Sequence, residues 1–149
     1  AAILSYGSYD MYATSLKGFE KMKNFFWLIS GSLPRGIFGN NFNAVDNPKM
    51  YKAVSPSFNI PISSERKLPP QLLTVGSNDQ LVTPHSVKTY QEKLESSGHH
   101  AEYWEYQGQG HAFLDSNSNG FLGNNFEVNA PPALDVMISF LNKTFYEYH

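Results

Sequence analysis

A chain of 149 residues is the size of one ordinary domain and can bury a real core. Eleven basic against 13 acidic residues give a net charge of −2 with no basic stripe, which speaks against nucleic-acid binding. No apolar run approaches the roughly 20 residues of a membrane helix, and the absence of cysteine removes disulfides, thiolate chemistry and Cys-based zinc sites.

The chain opens on Ala1-Ala2-Ile3-Leu4-Ser5-Tyr6, which reads as a buried strand over Ala2–Ser5 from its first residues. Ends of natural domains are normally loose and polar, so this opening implies sequence upstream. Gly7 to Thr14 reads as a polar loop. Leu16 to Ile29, with Phe19, Met22, Phe25, Phe26 and Trp27, reads as a helix with apolar positions nearly all round. Such a helix is either buried in a core or lies across an apolar pocket as a lid. Pro34 to Asn47 is a loop. Pro48 begins a short helix through Val54, capped by Asn47 or Asp46 and ended by Ser55-Pro56.

After a proline-punctuated connector over Asn59–Pro70 comes the run Gln71–Gly76, a second buried strand centred on Leu72–Val75. Pro84 and Gly98 bracket a helix over Pro84–Ser97 whose Val87, Tyr90 and Leu94 form one apolar stripe. Glu102–Tyr106 is the third strand. Asp115 to Asn129 reads as a polar loop, and the closing helix over Ala133–Tyr146 places Leu134, Met137, Ile138, Leu141 and Phe145 on one face. The pattern predicts an α/β fold: the end portion of a doubly wound, mainly parallel sheet, because three parallel strands alone are a small sheet that needs cover on both faces.

Two residues stand just past strands. Asp79 follows the second in Ser77-Asn78-Asp79, and His111 follows the third in Gly108-Gln109-Gly110-His111-Ala112-Phe113. A strand–helix–strand unit is nearly always parallel and right-handed, so both loops emerge at the same edge of the sheet. Alone, Asp79 is an ordinary turn residue and His111 a loop histidine bonded to backbone. Together at adjacent strand ends they form a carboxylate-held imidazole, the unit of general-base catalysis.

A nucleophile to accompany them is absent from the sequence. No Gly-x-Ser-x-Gly occurs, and Tyr6-Gly7-Ser8-Tyr9-Asp10 and Ser30-Gly31-Ser32-Leu33 lack small residues on both sides. His85, His99 and His100 read as surface residues. Asp115-Ser116-Asn117-Ser118-Asn119-Gly120 imitates half of a calcium loop, but the twelfth position is Phe126, so a polar loop and no metal is the expectation. Asn142-Lys143-Thr144 is a glycosylation triplet that permits a secreted origin and carries little weight on a predicted helix.

These residues resemble the C-terminal part of an α/β-hydrolase. The similarity runs through Leu68-Pro69-Pro70-Gln71-Leu72-Leu73-Thr74-Val75-Gly76-Ser77-Asn78-Asp79, Gly108–Phe113, Ala53-Val54-Ser55-Pro56 and the opening Ile3-Leu4-Ser5-Tyr6. It is nearest to the hormone-sensitive-lipase-like esterases and the related carbohydrate and feruloyl esterases. The resemblance implies one hydrolase domain portion over 1–149 with a lid-like insertion at 15–60. It implies Asp79 as the triad acid and His111 as general base and acid, with serine and oxyanion hole upstream or on another chain, and no cofactor. It implies a small-molecule or carbohydrate ester as substrate. A prolyl-oligopeptidase-like peptidase has similar acid and histidine loops, and a non-catalytic binding module on the same scaffold is the reading from another class.

Overall fold

A computed structural model describes residues 1–18, 37–39, 41–116 and 125–147. The chain divides into two compact units, one of Ala1–Ser8 with Ile60–His149 and one of Tyr9–Asn59.

The first unit is built on a three-stranded parallel sheet in the order β1 (Ala2–Ser5), β2 (Gln71–Gly76), β3 (Ala101–Tyr106). The register sets Ala2 beside Gln71 and Ser5 beside Thr74, then Gln71 beside Ala101 and Gly76 beside Tyr106. All six residues of β2 are buried, which is what a central parallel strand covered on both faces requires. The one hydroxyl inside it, on Thr74, donates to Ser5 Oγ across the sheet at 2.9 Å, so burial leaves it bonded.

The helix between β2 and β3, α3 in chain order, spans Pro84–Ser96. Thr83 caps it by accepting from the Ser86 N–H, and Pro84 takes the first position, where its missing N–H costs nothing. Val87, Tyr90 and Leu94 are buried as the stripe predicts, each aliphatic side chain contributing about 1.5–3 kcal/mol. Gln91 joins them, because its Nε2 donates to the Ala101 carbonyl at 3.0 Å and ties the helix to the start of β3. Gly98 ends the helix at φ +84°, the left-handed region that a side chain disfavours.

The closing helix, α4, spans Phe126–Asn142 and runs on into a π-helical turn at Lys143–Glu147. It begins well before the predicted start, inside the stretch that reads as a loop. Pro131 and Pro132 lie within it, and prolines disfavour helix before them, which is why the sequence pattern places the start later. Asn125 caps the helix by accepting from the Val128 N–H. The buried side also differs from the prediction. Asn129, Ala130, Ala133 and Phe140 are buried, while Leu134, Ile138 and Phe145 stand 47%, 53% and 50% exposed. Small alanines admit close packing on one side and leave the larger apolar row outward.

A second correction concerns His99. It is 5% exposed, not a surface residue: Nδ1 accepts from the Leu68 N–H at 3.3 Å and Nε2 donates to the Pro61 carbonyl at 2.7 Å. His85 and His100 are exposed, as expected.

The second unit holds two short helices, α1 (Met11–Leu16) and α2 (Pro48–Ala53). The first falls in a stretch that reads as a loop. Asp10 nucleates it by accepting from the Ala13 N–H at 2.8 Å. Ser55 joins the two helices, accepting from the Tyr12 N–H at 3.2 Å and donating to the Tyr51 carbonyl at 2.7 Å. Lys52 Nζ sits 4.9 Å from the Tyr12 ring and 5.4 Å from the Phe58 ring. The aromatic helix predicted over Leu16–Ile29 falls outside the described residues beyond Gly18.

Among the described residues no group of three or more His, Cys, Asp or Glu is placed to hold a metal ion. No helix among them is long and apolar enough to cross a membrane.

Candidate active site

The turn after β2 is built to present a carboxylate. Asp79 donates its own N–H to the Gly76 carbonyl, and its Oδ1 accepts from the N–H groups of Leu81 at 2.9 Å and Val82 at 2.8 Å. The side chain is fully buried, and those two amides fix its rotation. Its second oxygen, Oδ2, lies 2.8 Å from His111 Nδ1. A carboxylate facing a ring nitrogen accepts the proton there, so Nδ1 carries the hydrogen and in the neutral ring Nε2 is the nitrogen with the lone pair. The His111 side chain is 26% exposed, and among the described residues nothing bonds Nε2.

The loop carrying His111 is stitched to the acid turn. Ser77 N–H donates to the Tyr106 carbonyl, Asn78 N–H to the Gln109 carbonyl, and Asn78 Nδ2 to the Gly108 carbonyl. Gly108 N–H returns a bond to Ser77 Oγ at 2.8 Å. Gly76 ends β2 directly beneath this crossing, where its missing side chain lets the backbone of Gln109 and Gly110 pass.

Below the imidazole sits a cluster of rings. Phe113 is fully buried and meets Tyr6, Trp104 and Tyr106 edge-on. Tyr6 follows β1 at φ +42° and presents its ring to His111 at 5.4 Å and 62°. Burial raises the Tyr6 phenol above its ordinary range, and the charge of Asp115 adds to this. The phenol therefore stays neutral beside the imidazole.

The structure thus brings Asp79 and His111 together, as the strand–helix–strand reading expects. Tyr6, Ser77 and Asn78 contribute to the site without having been singled out. Tyr6 was legible in principle, because it directly follows β1 at the same sheet edge at which the acid and histidine loops emerge.

The sequence pattern of the prolyl oligopeptidase family matches residues 2–123. The chain belongs to the prolyl oligopeptidase family. It shares with that family the α/β-hydrolase fold, and the match takes in both Asp79 and His111. Solved structures similar to it include the apo form of Thermogutta terrifontis esterase 2, at TM-score 0.60 and 19% identity over 97% of this chain and 42% of that one. The native form of the same thermophilic esterase gives TM-score 0.58 and 19% identity over the same shares. A form phosphoramylated by tabun gives TM-score 0.58 and 18% identity. The chain spans less than half the length of these esterases, and at such identities the likeness speaks for the fold. No curated protein sequence matches it.

Proposed function

We propose that this prolyl oligopeptidase family chain supplies the acid and the histidine of a Ser-Asp-His triad that hydrolyses a small-molecule or carbohydrate ester. The observation that carries the reading is the 2.8 Å contact of Asp79 Oδ2 with His111 Nδ1, which leaves Nε2 as the free base. Asp79 holds the tautomer and stabilises the imidazolium. His111 Nε2 takes the proton from a serine hydroxyl as the oxygen attacks the acyl carbon, then gives it to the leaving alkoxide. Water enters by the same route in reverse and frees the acid.

The serine and the oxyanion donors belong, in this proposal, to a further portion of the fold, either upstream or on a companion chain. Two features support it. Among the described residues β1 pairs only with β2, leaving its other edge open. The outward row of Leu134 and Ile138 on α4 and Phe145 in the turn that follows it is apolar surface of the kind that an additional layer covers. Residues 15–60 are proposed as a lid-like insertion, supported by the clustering of Tyr9–Asn59 as a unit of its own.

The family match favours a second reading in which the same pair serves peptide cleavage. Fluorophosphonate labelling of the assembled protein, followed by parallel assays with p-nitrophenyl esters and a proline-containing anilide, separates the two. Ester turnover that vanishes in His111→Ala is the expected result. Anilide turnover alone would move the assignment to the peptidase. Absence of labelling would leave a binding module on a hydrolase scaffold.

A further inference from the structure

The imidazole is fixed at its nitrogen by Asp79, but a single hydrogen bond does not fix the backbone from which the ring hangs. The upstream arm of that loop is bonded to the acid turn at Gly108 and Gln109. The downstream arm is under strain. Ala112, immediately after His111, has φ +57°, where its Cβ crowds the following carbonyl. A residue with a side chain stays in that region only where its surroundings hold it there.

The Asp115 N–H donates to the Ala112 carbonyl at 2.8 Å and the Phe113 ring is buried, and the side-chain hydrogen bonds that reach both sides of His111 come from α4. Asn129 is 2% exposed, and its Nδ2 donates to Gln109 Oε1 at 2.9 Å and to the Phe113 carbonyl at 3.2 Å. Those two acceptors bracket His111 at two residues before and two after. A primary amide has two hydrogens, so one Nδ2 serves both, whereas the amide oxygen in that place would face two acceptors. Asparagine is also a poor helix former in a helix interior, and a residue such as alanine would favour α4 more. The side-chain bonds explain its presence.

We infer that Asn129 is a positioning residue for His111, clamping both arms of the histidine loop from the start of α4. The inference rests on the reading of His111 as the base, and it adds to the support that Asp79, the loop crossing and the Ala112–Asp115 turn provide. Without the clamp, the Phe113 carbonyl is released, Ala112 relaxes, and the ring leaves Asp79 Oδ2 part of the time.

The test is imidazole-nitrogen NMR on the full chain labelled with 15N-histidine. The ring proton on His111 Nδ1 and that on His99 Nε2 are each held by an acceptor, and His99 serves as internal reference. In Asn129→Ala the His111 Nδ1–H should exchange with water roughly tenfold faster, the equivalent of one buried hydrogen bond, with His99 unchanged. Equal acceleration at both rings, or none at His111, overturns the inference. Gln109→Ala cuts one arm only and should give a smaller acceleration. Should Asn129→Ala not fold, an unchanged His111 exchange rate in Gln109→Ala is the overturning result. Asp79→Asn separates this inference from its basis. Loss of the His111 signal there alongside an unaffected Asn129→Ala rejects the clamp alone. Survival of the signal in Asp79→Asn rejects the acid–base pair itself.

Discussion

Gly76 lies so close to the carbonyl oxygen of Gln109 that a Cβ built on it would stand 2.3 Å away, and 2.5 Å from that of Gly110. Both neighbours are backbone, so neither can rotate aside. Gly76→Ala must therefore push the histidine loop off the end of β2. The expected cost is about 1–3 kcal/mol in urea unfolding, as for other overpacked sites. An unfolding midpoint equal to that of the parent would contradict the close crossing.

Asp79 holds its own turn with one oxygen and His111 with the other, and in the proposed triad these are separate roles. Asp79→Ala strips the Leu81 and Val82 N–H groups of their acceptor in a buried turn, which should destabilise the chain by about 1–3 kcal/mol. In the assembled hydrolase, Asp79→Asn should lower kcat by about 10³–10⁴-fold, because the amide no longer holds the imidazole in the required tautomer. Steady-state kinetics beside denaturant titration distinguishes the two effects.

His99 is the larger surprise among the histidines. Replacing it by alanine leaves the Leu68 N–H and the Pro61 carbonyl without partners under the connector that leads into β2. The expected loss is about 1–3 kcal/mol, read by thermal or denaturant unfolding, with no direct effect on the Asp79–His111 pair. His85→Ala, at an exposed position on α3, should be close to neutral and is the matched control.

Alkaline pH acts on Tyr103. Burial, then the hydrogen bond its hydroxyl donates to Glu105 Oε2 at 2.6 Å, and then the Glu105 charge push its phenol well above the ordinary value of 10.0. The folded chain thus keeps a proton that the unfolded chain releases from about pH 10 upward. Stability from this group is complete below that pH and falls as pH rises beyond it, since the unfolded state then binds fewer protons. Tyr103→Phe should flatten the alkaline limb of an unfolding-midpoint-against-pH curve. A limb of unchanged slope would rule Tyr103 out as its source.

The sheet and the pair were legible because their signals are local and redundant. Leu72, Leu73 and Val75 crowd the short run Gln71–Gly76, Pro84 and Gly98 punctuate α3, and a crossover helix leaves one geometry for the loops at its ends. The start of α4 was not legible, because Pro131 and Pro132 argue against helix more loudly than the local Asn125 cap argues for it, while the Asn129 bonds are tertiary. The buried face of α4 was misread for a related reason. Hydrophobicity favours Leu134 and Ile138, but close approach favours Ala130 and Ala133. His99 shows the same limit, since its partners Pro61 and Leu68 are 38 and 31 positions away.

The allocation of the Asp79 oxygens bears on the order of assembly. Oδ1 is occupied by amides two and three positions along the chain, so the acid is oriented by its own turn at almost no loop-closure cost. The imidazole, 32 positions away, is placed only once β3 has docked beside β2. One half of the dyad is thus ready early, and the other arrives with the last strand.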